Sequence, residues 1–286
     1  MELRVLEYFL AIIDEGNMTR AAEALHTSQS NLSRQIADLE RELTCTLFDR
    51  SGHKMKLTEE GLLLERRARE ISEIVQLARR DLHACGDDVT GTVRIGAVET
   101  RYMKDIGALM KELQQAQPGI TFDVFSGSNR EIVERLERGL LDFGVIVAPL
   151  DMTGLDNLSI GMRERFGLLV PKESPLAAKR CVEPSDVENL PVWVAHQQQE
   201  GNVLSSWLGK HEASLSAVGT FNLISTPAMM VGVGFGTAFT FEGLANTESL
   251  PIEFVPLAPQ VTAELYLVWK KGALLAPAPR TFLGNH

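Results

Sequence analysis

Gln29, Ser30, Ser33 and Arg34 are the residues whose types and spacing could read a base pair. Amides, hydroxyls and a guanidinium hydrogen-bond base edges and phosphates. The four open a stretch in which Leu32, Ile36, Leu39 and Leu43 recur at i, i+4, i+7 and i+11. That period puts the apolar set on one helix stripe and swings Ser33, Ser30 and Arg34 away from it, with Gln29 at its edge. The chemistry is recognition, with the N-terminal part of a helix entering the major groove. Asp38, Glu40 and Glu42 come later in the helix, where they can point clear of DNA.

Such a helix must be held by others. Met18 to Leu25 reads as a short helix, with Thr19 as its expected cap and the small residues Ala21, Ala22 and Ala24 allowing a close crossing. His26, Thr27, Ser28 and Gln29 make a polar break, and Ser28 suits the N-cap of the second helix. The pattern is a helix-turn-helix. An ordinary antiparallel helical hairpin with a polar surface has the same spacing. Leu3 to Glu15 reads as a first helix packing through Leu6, Phe9, Leu10 and Ile13, and Gly16-Asn17 ends it. Leu47-Phe48-Asp49-Arg50 and Ser51-Gly52-His53-Lys54-Met55-Lys56-Leu57-Thr58 form a hairpin-like segment. Its basic residues suit a wing lying along phosphates.

Residues 1–86 resemble the amino-terminal module of a LysR-type transcriptional regulator. The matching pieces are Arg20 to His26, Ser28-Gln29, Leu32 to Ile36, Leu39-Glu40, Leu43, Leu47 to Arg50, and Leu57-Thr58-Glu59-Glu60-Gly61. The resemblance implies DNA contacts at Gln29, Ser30, Ser33 and Arg34, with Thr27 and Ser28 also in the DNA-binding set and Arg50, His53 and Lys54 near the wing. It implies operator DNA as a double-stranded partner, a homodimer or homotetramer, and RNA polymerase as a further partner. Two residues depart from the family pattern. Thr44 stands where Gly is usual, so a left-handed helix end there carries strain. Ser30 stands where Pro is common, leaving an N–H and a hydroxyl at a groove-facing site.

Thr58 to His83 reads as a long charged helix. Leu64, Ala68, Ile71, Val75, Ala78 and Leu82 step by four and three, a heptad seam expected to pair two subunits. One amphipathic helix packed on its own domain has the same spacing. Cys85-Gly86-Asp87-Asp88 and Gly91 mark a domain boundary. From Thr92 strands and helices alternate: Val93–Val98, Arg101–Ala116, Ile120–Phe125, Asn129–Arg138 and Phe143–Val147 form a βαβαβ unit with a parallel sheet. Phe166–Val170 begins another strand, and Leu265–Trp269 is a late one. The segments GLLDFGVIV, LLVPKESPLA and TPAMMVGVGFG look like the effector domain of the same family. The expected fold is therefore an N-terminal all-α winged helix-turn-helix with a long linker helix, followed by an α/β effector domain of two subdomains resembling periplasmic solute-binding proteins. The expected divisions are 1–58, 59–90 and 91–286. Subdomain 1 is about 91–161 with 266–286, subdomain 2 about 162–265, and the chain crosses between them near 160–165 and 260–266.

In open α/β sheets ligands gather beyond the strands' carboxyl ends, near helix N-termini. Four such places carry polar groups: Glu99-Thr100-Arg101, Ser126-Gly127-Ser128-Asn129, Ala195-His196-Gln197 and Ser225-Thr226. The family's cleft uses equivalent positions, which implies effector contacts at Thr100, Arg101, Ser126, Ser128, Asn129, His196, Gln197 and Thr226. Each also suits a cap or a turn. Together they would suit a small polar or carboxylate ligand.

Composition sets bounds. The net charge is −10, but residues 26–58 hold five basic and four acidic residues, a locally positive surface on an acidic body. Binding to DNA should then depend strongly on salt. The amphipathic start MELRVLEYFLAIIDEGN is unlike a signal peptide, and no apolar run approaches the roughly 18 residues of a membrane span, so the expected location is cytoplasmic with no membrane partner. Cys45, Cys85 and Cys181 are far apart and fit reduced thiols. Gly232-x-Gly234-x-Gly236 follows a helix and leads into a strand, the reverse of a dinucleotide loop. No metal-ligand spacing and no nucleophile–base pair stands out, so no metal, no cofactor and no catalysis are expected. A solute receptor whose N-terminal helices serve only assembly is the alternative.

Overall fold

The protein is seen in a computed structural model that describes residues 1–49, 55–83, 89–196 and 202–284. Two compact units divide the chain, Met1–His83 and Ala84–His286.

In the first unit α1 (Leu3–Glu15) buries Val5, Leu6, Phe9, Leu10 and Ile12. The stripe is centred on Val5, Phe9 and Ile12, so Ile13, expected inside, is only half-buried. Gly16 closes the helix at φ +62°. Helix α2 (Met18–Ala24) is capped by Asn17, whose Oδ1 accepts from Thr19 N–H at 2.7 Å and Arg20 N–H at 3.4 Å. Thr19, expected as the cap, lies inside the first turn: the asparagine one position before the helix reaches its orphan amides. Helix α3 (Gln29–Glu42) buries Leu32, Ile36 and Leu39 and gives way to Thr44 at φ +54°. Strands β1 (Phe48–Asp49) and β2 (Lys56–Leu57) pair antiparallel, and α4 runs from Glu59 to His83.

The expected seam on α4 turns inward over its first half. Ala68 is fully buried in the core of its own unit, and Leu64 and Ile71 pack against that core. The cause is α1, which α4 crosses and whose apolar stripe needs a partner; a seven-residue repeat serves that contact as well as a coiled coil. Val75 is half-buried and Ala78 exposed. The side chain of Leu82 lies outside the described residues. Leu62, Leu63 and Ile74 leave the large apolar surface of α4 exposed.

The second unit is built on β3 (Gly91–Ala97), α5 (Met103–Ala116), β4 (Ile120–Ser126), α6 (Asn129–Glu137), β5 (Phe143–Val147), β6 (Leu155–Pro171), β7 (Pro191–Ala195), α7 (Asn202–Leu208), β8 (Ser216–Phe221), α8 (Ser225–Gly232), β9 (Thr237–Phe241), β10 (Ile252–Pro256), β11 (Thr262–Lys270) and α9 (Pro277–Gly284). The strand order is β4-β3-β5-β11-β6-β9-β7-β8, with β10 also on β6. Strand β3 is parallel to β4 and β5, as the βαβαβ pattern requires. Phe166–Val170, expected to begin a strand, is the far half of β6, a single strand of 17 residues. Its near half pairs with β11 and its far half with β9 and β10. That near half is polar and partly exposed, which hid it from an apolar-run search. Both β6 and β11 therefore pass from one half of the unit to the other. Helix α9 returns to the first half, where Phe282 meets Phe143 at 5.2 Å between ring centroids. Helix α6 lies so close on the sheet that a Cβ on Gly144 would stand 2.6 Å from Ile132 Cγ2. Among the described residues no helix is long and apolar enough to cross a membrane.

Candidate nucleic-acid interface and ligand cleft

The start of α3 is a small scaffold of hydrogen bonds. Ser28 Oγ accepts from Asn31 N–H at 3.1 Å and lies 3.1 Å from Ser30 Oγ. Asn31, which sequence reasoning passed over, ties the turn to the helix. Its Nδ2 donates to Thr27 Oγ1 at 3.0 Å and its Oδ1 accepts from Arg34 at 3.4 Å. Thr27 and Ser33 are half-buried, while Ser28, Gln29, Ser30 and Arg34 are exposed. Arg34 has no ion pair among the described residues, whereas Arg41, two turns further along the same face, is held by Asp38 at 3.0 Å. Glu40 turns to the wing and accepts from Leu47 N–H at 2.8 Å and Phe48 N–H at 3.3 Å. The exposed start of α3 thus offers amide, hydroxyl and guanidinium groups. Arg50, His53 and Lys54 lie outside the described residues.

The second unit holds a cavity of about 720 Å³, open solvent at its mouth included, where β3, β5, β6, β9 and α8 converge. Its walls are largely apolar, with Phe166, Phe221, Phe239 and Phe241 among them, and its polar lining comes from Glu99, Asn129, Asn222 and Thr240. Glu99 reaches the N-terminus of α8, where one carboxylate oxygen accepts from Ile224 N–H at 2.8 Å. Burial pushes Glu99 above the usual carboxylate range, and that N–H pulls partly back. Asn129 opens α6 and clips the end of β5, donating to Val147 O at 2.7 Å and accepting from Val147 N–H at 3.1 Å.

Beside the cavity, Thr100 donates its hydroxyl to Glu164, which is fully buried. Arg101 stands 3.6 Å from the same carboxylate and 2.9 Å from Glu242. Burial raises Glu164, opposed by the Thr100 hydroxyl and the Arg101 charge. Ser128 caps α6 in a capping box with Glu131. The Ser128 N–H, then its hydroxyl, hold Glu131 below the ordinary range, and His196 adds a smaller pull.

Two family descriptions match the chain: "LysR substrate binding domain" over residues 86–284 and "Bacterial regulatory helix-turn-helix protein, lysR family" over residues 3–62. The chain belongs to the LysR family of transcriptional regulators. Like its relatives, this LysR-type regulator couples a DNA-binding helix-turn-helix to a domain that binds a small-molecule effector. It is 28% identical to the Hca operon transcriptional activator HcaR of Escherichia coli (strain K12), over 99% of this chain and 96% of that one. It is 30% identical to the transcriptional regulator ShiR of Corynebacterium glutamicum (strain R), over 96% and 94%. Full-length CbnR, solved in complex with its target DNA, has the same fold, at TM-score 0.74, 21% identity and coverage of 99% and 98%.

Of the described residues the sequence assigned to the effector, only Asn129 lies on the cavity wall. Thr100 and Arg101 are committed to Glu164 and Glu242, and Ser128 to Glu131, because hydroxyls and a guanidinium beside buried or capping carboxylates pair with them first. Ser126, His196 and Thr226 are exposed and do not line the cavity, and Gln197 lies outside the described residues. Glu99, Asn222, Thr240 and the phenylalanines were missed. Glu99 alone had a signal, standing in the first of the four strand-end clusters.

Proposed function

We propose that this regulator reads its operator through Gln29, Ser30, Ser33 and Arg34, with Thr27 and Ser28 fixing the turn and Arg50, His53 and Lys54 on the flanking phosphates. The observation that carries this is the exposed Arg34, without an ion pair among the described residues, on a helix start stiffened by Ser28 and Asn31. Guanidinium on guanine is the commonest base contact, and a helix N-terminus is what this motif sends into the groove. Residues 1–58 would then be the DNA-binding domain, 59–90 the linker and 91–286 the effector domain. CbnR was crystallised on its target DNA, and a homodimer or homotetramer of this chain would likewise set two recognition helices on half-sites. The effector site is the cavity around Glu99 and Asn129. Its occupation shifts the two halves of the effector domain toward one arrangement, and with it the packing of dimers on DNA. The protein performs no catalysis and works in the cytoplasm.

The test is fluorescence anisotropy of the full chain on the duplex upstream of its own gene and on a scrambled duplex, across a salt series. Arg34→Ala should weaken the first complex by about 5- to 150-fold, a loss of roughly 1–3 kcal/mol, and the second far less. An equal loss on both duplexes would make Arg34 a phosphate contact. No loss on either would remove it from the interface.

A further inference from the structure

We infer that the cavity selects a ligand bearing a protonated amine on an apolar body, with Glu99 as its counter-charge. The inference rests on taking this cavity as the effector site, and it names the ligand's class. It reverses the sign of the ligand expected from the sequence.

The first support is the charge inventory. Glu99 is the one ionisable side chain among the described residues of the lining, and no Lys, Arg or His shares it. An anion entering here would meet a like charge in a poorly solvated space, which disfavours it steeply.

The second is that the first amide an anion would use, that of Ile224, is taken. The backbone N–H at the start of α8 already donates to Glu99, reaching from the end of β3. A ligand carboxylate could use that N–H only by displacing a tethered carboxylate of the same charge.

The third is what the site offers a cation. The other oxygen of Glu99 has no hydrogen-bond partner among the described residues. Phe166 and Phe241 stand 4.4 Å apart between centroids, and Phe221 and Phe239 complete an aromatic wall. Aromatic faces attract ammonium groups, and more strongly where water is excluded. The largely apolar lining with a few polar groups is the make-up of a small-molecule site. A bound ammonium would also relieve the burial that now disfavours the Glu99 charge.

The test is isothermal titration calorimetry of the full chain at pH 7 with three probes of one shape: 2-phenylethylamine, 2-phenylethanol and 3-phenylpropionate. The amine should bind at least about tenfold tighter than the alcohol, the scale of one charge-assisted contact, and the carboxylate weakest. In Glu99→Gln the amine and the alcohol should converge, while Glu99→Asp keeps the order. A carboxylate that binds as tightly as the amine, or an amine preference that survives Glu99→Gln, overturns the inference. Binding of the alcohol without any charge preference does so too, yet leaves the cavity standing as a ligand site. Binding of none of the three removes the cavity reading and the inference with it. Should Glu99→Gln fail to fold, the wild-type and Glu99→Asp rankings decide.

Discussion

Replacing Gly61 by Ala should damage the DNA-binding half of this regulator while leaving its effector half unchanged. Gly61 lies in the first turn of α4, where a methyl group would stand 2.2 Å from the carbonyl oxygen of Leu47 and 2.9 Å from Leu57 Cδ2. The first obstacle is backbone and cannot swing away. That same carbonyl accepts from Thr58 N–H at 3.0 Å, so displacing it also loosens the join between wing and linker helix. Overpacking costs about 1–3 kcal/mol, a lost hydrogen bond about 1, and the better helix propensity of Ala returns up to about 1. The net is roughly 1–3 kcal/mol, or about 5–20 °C in melting temperature for a unit of this size. The control is Gly107→Ala. Gly107 sits inside α5 with nothing within 4 Å of an added methyl, so it should gain about 0.5–1 kcal/mol. Scanning calorimetry of the full chain reads both, and the N-terminal transition is the one that operator DNA shifts upward. Gly61→Ala within a degree of wild type, with undiminished DNA affinity, would refute the steric reasoning.

Two further outcomes follow from the same structure. Thr44→Gly removes a side chain from a left-handed position at φ +54° and should stabilise the N-terminal unit by about 1 kcal/mol, seen as a rise of a few degrees; a fall would show the Thr44 hydroxyl matters more than the strain. Glu164 is raised in the folded protein above 4.5, chiefly by burial, so its contribution to stability is complete below pH 4.5 and is lost as pH rises through the folded value. Urea midpoints of wild type and Glu164→Gln should therefore draw apart with a pH-dependent difference above 4.5, and a flat difference would mean that burial does not govern this carboxylate.

Local pattern carried most of what the sequence revealed. Leu32, Ile36 and Leu39 announced the buried stripe of α3, and Ser28 its cap, since both are settled within a few residues. The alternation of strands and helices from Thr92 announced the parallel β3–β4 and β3–β5 pairs. What stayed hidden depends on partners distant in the chain. Leu64, Ala68 and Ile71 have the spacing of a subunit seam but serve α1 of their own unit. Glu164, between two arginines in the sequence, is fully buried, with Ala263 opposite it and Thr100 reaching it from 64 residues away. The surroundings of the expected effector positions stayed hidden for a related reason. Hydroxyl and guanidinium groups at strand ends look available in a sequence, and only the folded chain reveals which of them a neighbouring carboxylate has already claimed.

The passage of β6 and β11 between the halves of the effector domain has a mechanical meaning. The two strands cross side by side, with Thr262 opposite Arg165, Ala263 opposite Glu164 and Glu264 opposite Arg163, and their register slips between Glu264 and Tyr266. The lobes are joined by a ribbon and not by two separate threads. A ribbon bends readily out of its plane but resists turning within it, because in-plane rotation would pull one edge's hydrogen bonds apart. The slip at Leu265 interrupts its ladder of hydrogen bonds. A ligand held between the two halves would therefore act chiefly on how far this ribbon bends.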